Sequence, residues 1–162
     1  MEQALHPTRK RDILPGRPCS IAAALHLVGD RWALLAVREL IFGNHRFDQI
    51  ARNTGAPRDR LSARLRSLED AGVIERRPYS DRPRRYEYRL TDAGRELAPV
   101  IHALRTWGDK WATDERAIVL EHRCGHEFDA APTCRHCGGE ILDTELTIRP
   151  TTPGWDLRGP LN

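Results

Sequence analysis

A mainly α-helical fold with one small β element, an α+β arrangement, is what this sequence predicts. Three observations predict it. Apolar residues recur at helical spacing through most of the first 70 positions. The period then falls to two over "VIERRPY" and "RRYEYRL", which flank the turn "SDRP". Helical spacing returns directly after Thr91.

The elements follow in order. Residues 1–18 are polar and broken by Pro7, Pro15, Gly16 and Pro18, and read as an N-terminal arm. "SIAAALHLVG" predicts a short helix with Ser20 as N-cap. "DRWALLAVRELIFG" predicts a second helix, capped by Asp30 and apolar around most of its circumference, as a central core helix is. "HRFDQIARNTG" predicts a third, stopped by Gly55. Pro57 then opens "PRDRLSARLRSLEDAG", where Leu61, Leu65 and Leu68 form one buried stripe and Gly72 ends the helix. Two helices across the tight turn "NTGA" have helix-turn-helix spacing.

The two strands come next. In the second, Tyr86, Tyr88 and Leu90 share one face, and Arg85, Glu87 and Arg89 share the other. Thr91 caps a long last helix, "DAGRELAPVIHALRTWGDKWA", with a stripe of Leu97, Ile101, Leu104, Trp107 and Trp111 and a possible bend at Pro99. A helix-turn-helix followed at once by a hairpin is a winged helix-turn-helix, expected over residues 19–112. An appendage at 113–148 and a Pro- and Gly-rich flexible tail at 149–162 complete the chain.

Charge narrows the partner. The net charge is +3, and 24 of the 26 cationic residues are arginine. From Arg52 to Arg89 eleven arginines face six acids, whereas residues 113–148 hold three arginines and eight acids. Six of the sixteen residues from Glu75 to Leu90 are arginine. A basic middle suits phosphate, because each guanidinium placed on a phosphate releases counterions. An arginine-rich hairpin beside a helix-turn-helix is placed to meet DNA backbone or minor groove while the second helix enters the major groove.

With Leu61 as the buried direction, about 100° per residue puts Asp59, Ala63 and Arg66 on the opposite face of that helix. Arg58 and Ser62 flank one side, and Arg60 and Ser67 the other. Arg58, Asp59, Arg60, Ser62 and Arg66 are the candidates for base or backbone contact, since arginine pairs bidentately with guanine and serine takes either edge. Arg64, near the apolar stripe, is expected in a structural or phosphate role. In the wing, Arg82, Arg84 and Arg85 lie at or just after the turn and are the candidate DNA contacts, with Arg76 and Arg77 nearer its base.

Other classes find less support. No phosphate loop, nucleophile elbow or paired carboxylates at catalytic spacing occur, so no enzyme is expected. No window approaches the ~18 apolar residues of a spanning helix, and no secretory signal is visible, so a cytoplasmic protein is expected.

"GDRWALLAVREL", "RFDQIA", "LSARLRSLEDAGVIERRPY", "RPRRYEYRLTDAGREL" and "ALRTWG" resemble, in order and spacing, the HxlR-type winged helix-turn-helix transcriptional regulators. The resemblance runs from about Cys19 to Trp111. It implies a homodimer that binds a palindromic operator in double-stranded DNA, as a repressor. It also implies a small-molecule or thiol-reactive effector sensed at the N-terminal cysteine, here Cys19. The start of a helix suits a nucleophilic thiol, although an isolated cysteine is otherwise a small buried hydrophobe. "CSI" here departs from the "CP" common in the family. The alternative is a winged-helix and zinc-ribbon component of a transcription complex, acting through protein contacts.

The C-terminal segment lies outside that resemblance. "HRCGHEFDAAPTCRHCGGE" contains Cys124, Cys134 and Cys137, and Cys134-x-x-Cys137 followed by two glycines reads as half of a zinc knuckle. Three thiolates and one imidazole would close a tetrahedral structural Zn²⁺ site. The preferred fourth ligand is His126, with His122 and His136 as alternatives. A short β-hairpin, zinc-ribbon-like appendage is therefore expected, with reduced or disulfide-forming cysteines as the competing reading.

Overall fold

The computed structural model describes residues 16, 18–141 and 143–160. The expected arm at 1–18 lies, apart from Gly16 and Pro18, outside the described residues. Among those described, the helices are α1 (Ser20–Val28), α2 (Arg31–Ile41), α3 (Phe47–Thr54), α4 (Arg58–Asp70), α5 (Asp92–Arg95) and α6 (Ala98–Trp111). Between α4 and α5 stand β1 (Ile74–Asp81) and β2 (Arg84–Leu90), an antiparallel pair.

Each boundary has a local cause. Asp30 caps α2 by accepting from the Trp32 amide at 2.9 Å. At the start of α1 the cap position falls on Cys19 rather than Ser20, which is the first helical residue. Pro57, expected as the first helical residue, instead takes the cap position of α4, and the helix opens one residue later at Arg58. Gly55 ends α3 with φ 67°, in the left-handed region, and its amide bonds to the Ala51 carbonyl. The Thr54 hydroxyl donates to the Ile50 carbonyl and accepts from the Ala56 amide, which tightens the turn into α4.

The long last helix of the sequence reading is two helices. A proline lacks the N–H for the carbonyl four residues back and its ring collides with that carbonyl. Four residues before Pro99 is Arg95, where α5 ends. The proline then sits harmlessly in the first turn of α6.

The core is built from Val28, the α2 residues Ala33, Ala36, Val37 and Leu40, Ile50, Ala56, the α4 stripe Leu61, Leu65 and Leu68, and Val73 with Ile74. Tyr88, Leu90, Leu97 and Ile101 pack onto it from β2 and the last helices. Thus α2 is central, and the helix-turn-helix, the wing and α6 are all referenced to it. One charged side chain lies in this core. The Glu39 carboxylate accepts from Arg38 Nη2 at 2.7 Å, Asn44 Nδ2 at 2.7 Å and Asn53 Nδ2 at 2.8 Å.

The wing is pinned on its second edge. The Tyr88 amide donates to the His45 carbonyl at 2.8 Å, and Arg46 bridges to Glu87. The residues before α3 therefore act as a short third strand. A register irregularity between Pro78 and Ser80 interrupts β1 and leaves a two-residue turn at Arg82 and Pro83.

Beyond α6 the chain makes isolated bridges, Glu121 with Glu127, Thr133 with Glu140 and Trp155 with Pro160. It rests on α6 through Phe128, whose ring meets His102 edge-on at 5.1 Å and whose carbonyl accepts from Arg105 Nη2 at 3.1 Å. An Arg116–Glu127 ion pair adds to this. None of the described residues from 113 to 160 is buried. No single helix among the described residues is long and apolar enough to cross a membrane.

Candidate nucleic-acid interface

Burying Leu61, Leu65 and Leu68 fixes which side of α4 faces outward. Arg58, Asp59, Arg60, Ala63, Arg66 and Ser67 are exposed, while Ser62 is half-buried. Arg66 Nη2 donates to the Ser62 hydroxyl at 3.3 Å, so the two share one polar patch. Arg58 bonds Asp48 at 2.8 Å and stacks over the Phe47 ring at 4.7 Å, which ties the start of α4 to the start of α3. Arg60 has no ion-pair partner among the described residues. Arg64 points back toward the Asp30 cap, at 3.9 Å, in keeping with a structural role.

The wing presents Arg82, Arg84 and Arg85, all exposed. Arg84 and Arg76 both lie over the Tyr86 ring, at 5.5 and 4.4 Å. An arginine held flat on an aromatic ring keeps its charge and loses rotamer freedom in advance. Arg82 and Arg85 have no ion-pair partner among the described residues. Exposed guanidinium groups without carboxylate partners are free to take phosphate.

Sequence reasoning missed one part of this surface. A groove between the start of α3 and the wing is lined by Arg46, Gln49, Arg76, Tyr79, Arg84 and Tyr86. Arg46 stacks over Tyr79 at 4.8 Å. Asp48 and Phe47 also line it, and these two residues hold Arg58 at the start of α4. Arg46 has no local signature. Its place depends on pairing with Glu87, 41 positions away along the chain.

At the base of the wing, Glu87 accepts from Arg89 Nε at 2.9 Å, and this hydrogen bond holds its carboxyl below the usual range. Arg89 also reaches His45 Nε2 at 3.1 Å. This cluster fastens the hairpin to the segment before α3 and engages Arg89 with Glu87 and His45. Burial pushes the Tyr88 hydroxyl up, as befits a ring packed on the core.

Cys19 is exposed at the start of α1, so it is no buried hydrophobe. The other three thiols, Cys124, Cys134 and Cys137, lie in the appendage and are free. His126 shares their hairpin region, where its carbonyl accepts from the His122 amide.

A helix-turn-helix whose second helix exposes arginines, beside an arginine-bearing wing, defines a DNA-binding transcriptional regulator. Comparison with known proteins agrees. The pattern of the HxlR-like helix-turn-helix family matches residues 27–116, and the chain belongs to that family. An HTH-type transcriptional regulator of Mycobacterium tuberculosis, Rv3095, is 46% identical over 142 residues, covering 86% of this chain and 89% of the relative. A Synechocystis regulator of the same type is 38% identical over 62% of this chain and 75% of its own length. Among solved structures, PA1607, described as a transcription factor, aligns with a TM-score of 0.73 at 31% identity, covering 81% of this chain and 94% of that one. The redox regulator HypR in its oxidized form aligns with a TM-score of 0.55 at 29% identity, covering 59% of this chain and 99% of that one.

Proposed function

We propose that the protein is a cytoplasmic homodimeric repressor that reads a palindromic operator through α4 and grips the flanking backbone with its wing. The observation that carries this reading is the basic surface made by Arg58, held against Asp48 and Phe47, and the adjoining groove with Arg46, Arg76 and Arg84. Arg66 and Ser62, with Arg58, Asp59 and Arg60, take base edges or adjacent phosphates. Arg82, Arg84 and Arg85 take phosphate or minor groove. Two copies related by a two-fold axis set half-sites about one helical turn, ~34–36 Å, apart. Repression needs only occupancy of such a site across a promoter.

The dimer reading is supported by apolar surface that one copy leaves open. Ile21 and Leu25 on α1, and Leu104, Trp107 and Trp111 on α6, are all exposed. A thiol-reactive effector acting at Cys19 is supported by that thiol's exposure and by the likeness to a redox regulator.

The test is titration of the full chain with a selected operator and with unrelated DNA across a salt series. Arg66→Ala should lose specific affinity, roughly 1–3 kcal/mol for one bidentate contact, and relax one base position. Arg84→Ala should weaken all sequences alike and flatten the salt slope by about one. Both variants binding like the parent at every salt concentration would overturn the docking. Repeating the titration after oxidant, with Cys19→Ser beside the parent, tests the effector reading, since the variant should no longer respond.

A further inference from the structure

The appendage repeats one backbone device twice. In the first hairpin, Glu121 bridges Glu127, the His122 amide donates to the His126 carbonyl at 2.9 Å, and the Gly125 amide donates to the His122 carbonyl at 2.8 Å. In the second, Thr133 bridges Glu140, the Cys134 amide donates to the Gly139 carbonyl at 2.8 Å, and the Gly138 amide donates to the Cys134 carbonyl at 2.7 Å. Gly125 and Gly138 both have positive φ, 84° and 72°. The second hairpin is one residue longer than the first, so matching them from the N-terminal side sets His122 on Cys134, and matching them from the C-terminal side sets Cys124 on Cys137 and His126 on Gly139.

That correspondence sorts the histidines. In the second hairpin the two thiols are Cys134 and Cys137. Their counterparts in the first are His122 and Cys124, and His122 Nδ1 already stands 3.1 Å from Cys124 Sγ. His126 falls on a position that the second hairpin fills with glycine, and its carbonyl is spent on closing the turn. His136 lies inside the second turn, between Cys134 and Cys137.

Among the described residues no three His, Cys, Asp or Glu groups gather around one point. The donors stand as two pairs, one in each hairpin. Among its described residues the same segment has none buried with which to hold the hairpins together. A segment this poor in core needs a staple, and a set of three thiols and one imidazole is the chemistry of tetrahedral zinc.

We propose that the two hairpins close on one Zn²⁺ per chain, ligated by His122 Nδ1, Cys124, Cys134 and Cys137. Binding releases the thiol protons to solvent and leaves a site of three thiolates and one neutral imidazole. The metal is structural, because four protein ligands leave no open position for a reactant. The proposal stands apart from the DNA reading, since none of its residues lies on α4 or the wing.

The test uses the full, untagged chain. Elemental analysis should give one zinc per chain. Bound zinc should shield three of the four thiols from alkylation, leaving Cys19 reactive. His122→Gln should lower zinc affinity by well over about tenfold, the least that loss of even an outer-shell partner costs, while His126→Gln stays within about twofold. His122→Cys keeps the ability to bind, and on cobalt substitution its spectrum should move from three-thiolate to four-thiolate character, which a merely structural residue would not produce. Absence of stoichiometric zinc, a Cys134–Cys137 disulfide in the reduced purified protein, or a loss confined to His126→Gln would each overturn the assignment.

Discussion

Glu39 shows what a single residue does for the interface without touching DNA. It is 3% exposed, and its two carboxylate oxygens accept from three side chains. Asn44 lies in the link to α3, and Asn53 lies near the end of α3, one turn before α4. One carboxylate in the core helix thus holds both ends of the first helix of the helix-turn-helix. Glu39→Ala would remove the acceptor shared by the half-buried Asn44 and the exposed Asn53, at roughly 1.5–3 kcal/mol for a hydrogen bond to a charged group. Urea unfolding should show a lower midpoint with an unchanged slope, and operator affinity should fall although no contact is removed. None of this was legible in "VRELIFGN". A glutamate in an apolar helix looks like an exposed interruption of the pattern until its partners, 5 and 14 residues away, are brought to it. The outward set on α4 was legible, because the leucine stripe alone fixes it.

At the scale of elements, the docking of the appendage on α6 carries a built-in pH dependence. Burial, and then the Arg105 charge, hold His102 below its ordinary value of 6.5. The folded state therefore binds fewer protons there than the unfolded chain. Docking stability is fully present above about pH 6.5 and is lost as the pH falls. The protection of the Phe128 amide, which is bonded to the Leu120 carbonyl at 2.7 Å, against hydrogen exchange should fall severalfold from pH 7.5 to 5.5 once intrinsic exchange is removed. In His102→Phe the two rates should agree once intrinsic exchange is removed. The helix that carries His102 was legible as a stripe from Leu97 to Trp111, and the break before Pro99 followed from the ring. The docked partner was not legible, because Phe128 looks like any lone aromatic in a polar segment. The third strand at Arg46 was hidden for the same reason, since a single bridge leaves no period to read.

For the whole molecule, the apolar faces of α1 and α6 set the expected assembly. Trp107 and Trp111 are 61% and 66% exposed, and Ile21 is 69% exposed. Full burial of side chains of this size is worth roughly 1.5–3 kcal/mol each. Trp107→Glu should convert a dimer to a monomer by light scattering at micromolar concentration, and operator affinity should drop with it. A parent chain already monomeric there would remove the reason for the variant. The segregation of charge that suggested DNA was legible from composition alone, as was the family to which the winged helix belongs. The pairing of donors in the appendage was only half legible, because a Cys-x-x-Cys motif announces itself and a His-x-Cys motif does not.

The placement of the core has one more consequence. Every buried apolar side chain named above lies between Val28 and Ile74, and the described residues of the last third of the chain include none. Cooperativity comes from shared burial, so the head and the appendage have little reason to melt together. Calorimetry of the full chain should show two transitions rather than one, the lower with the small enthalpy of a short segment. A chelator should move only the lower transition, and operator DNA should raise only the upper. A single melting temperature would then describe neither half of the protein.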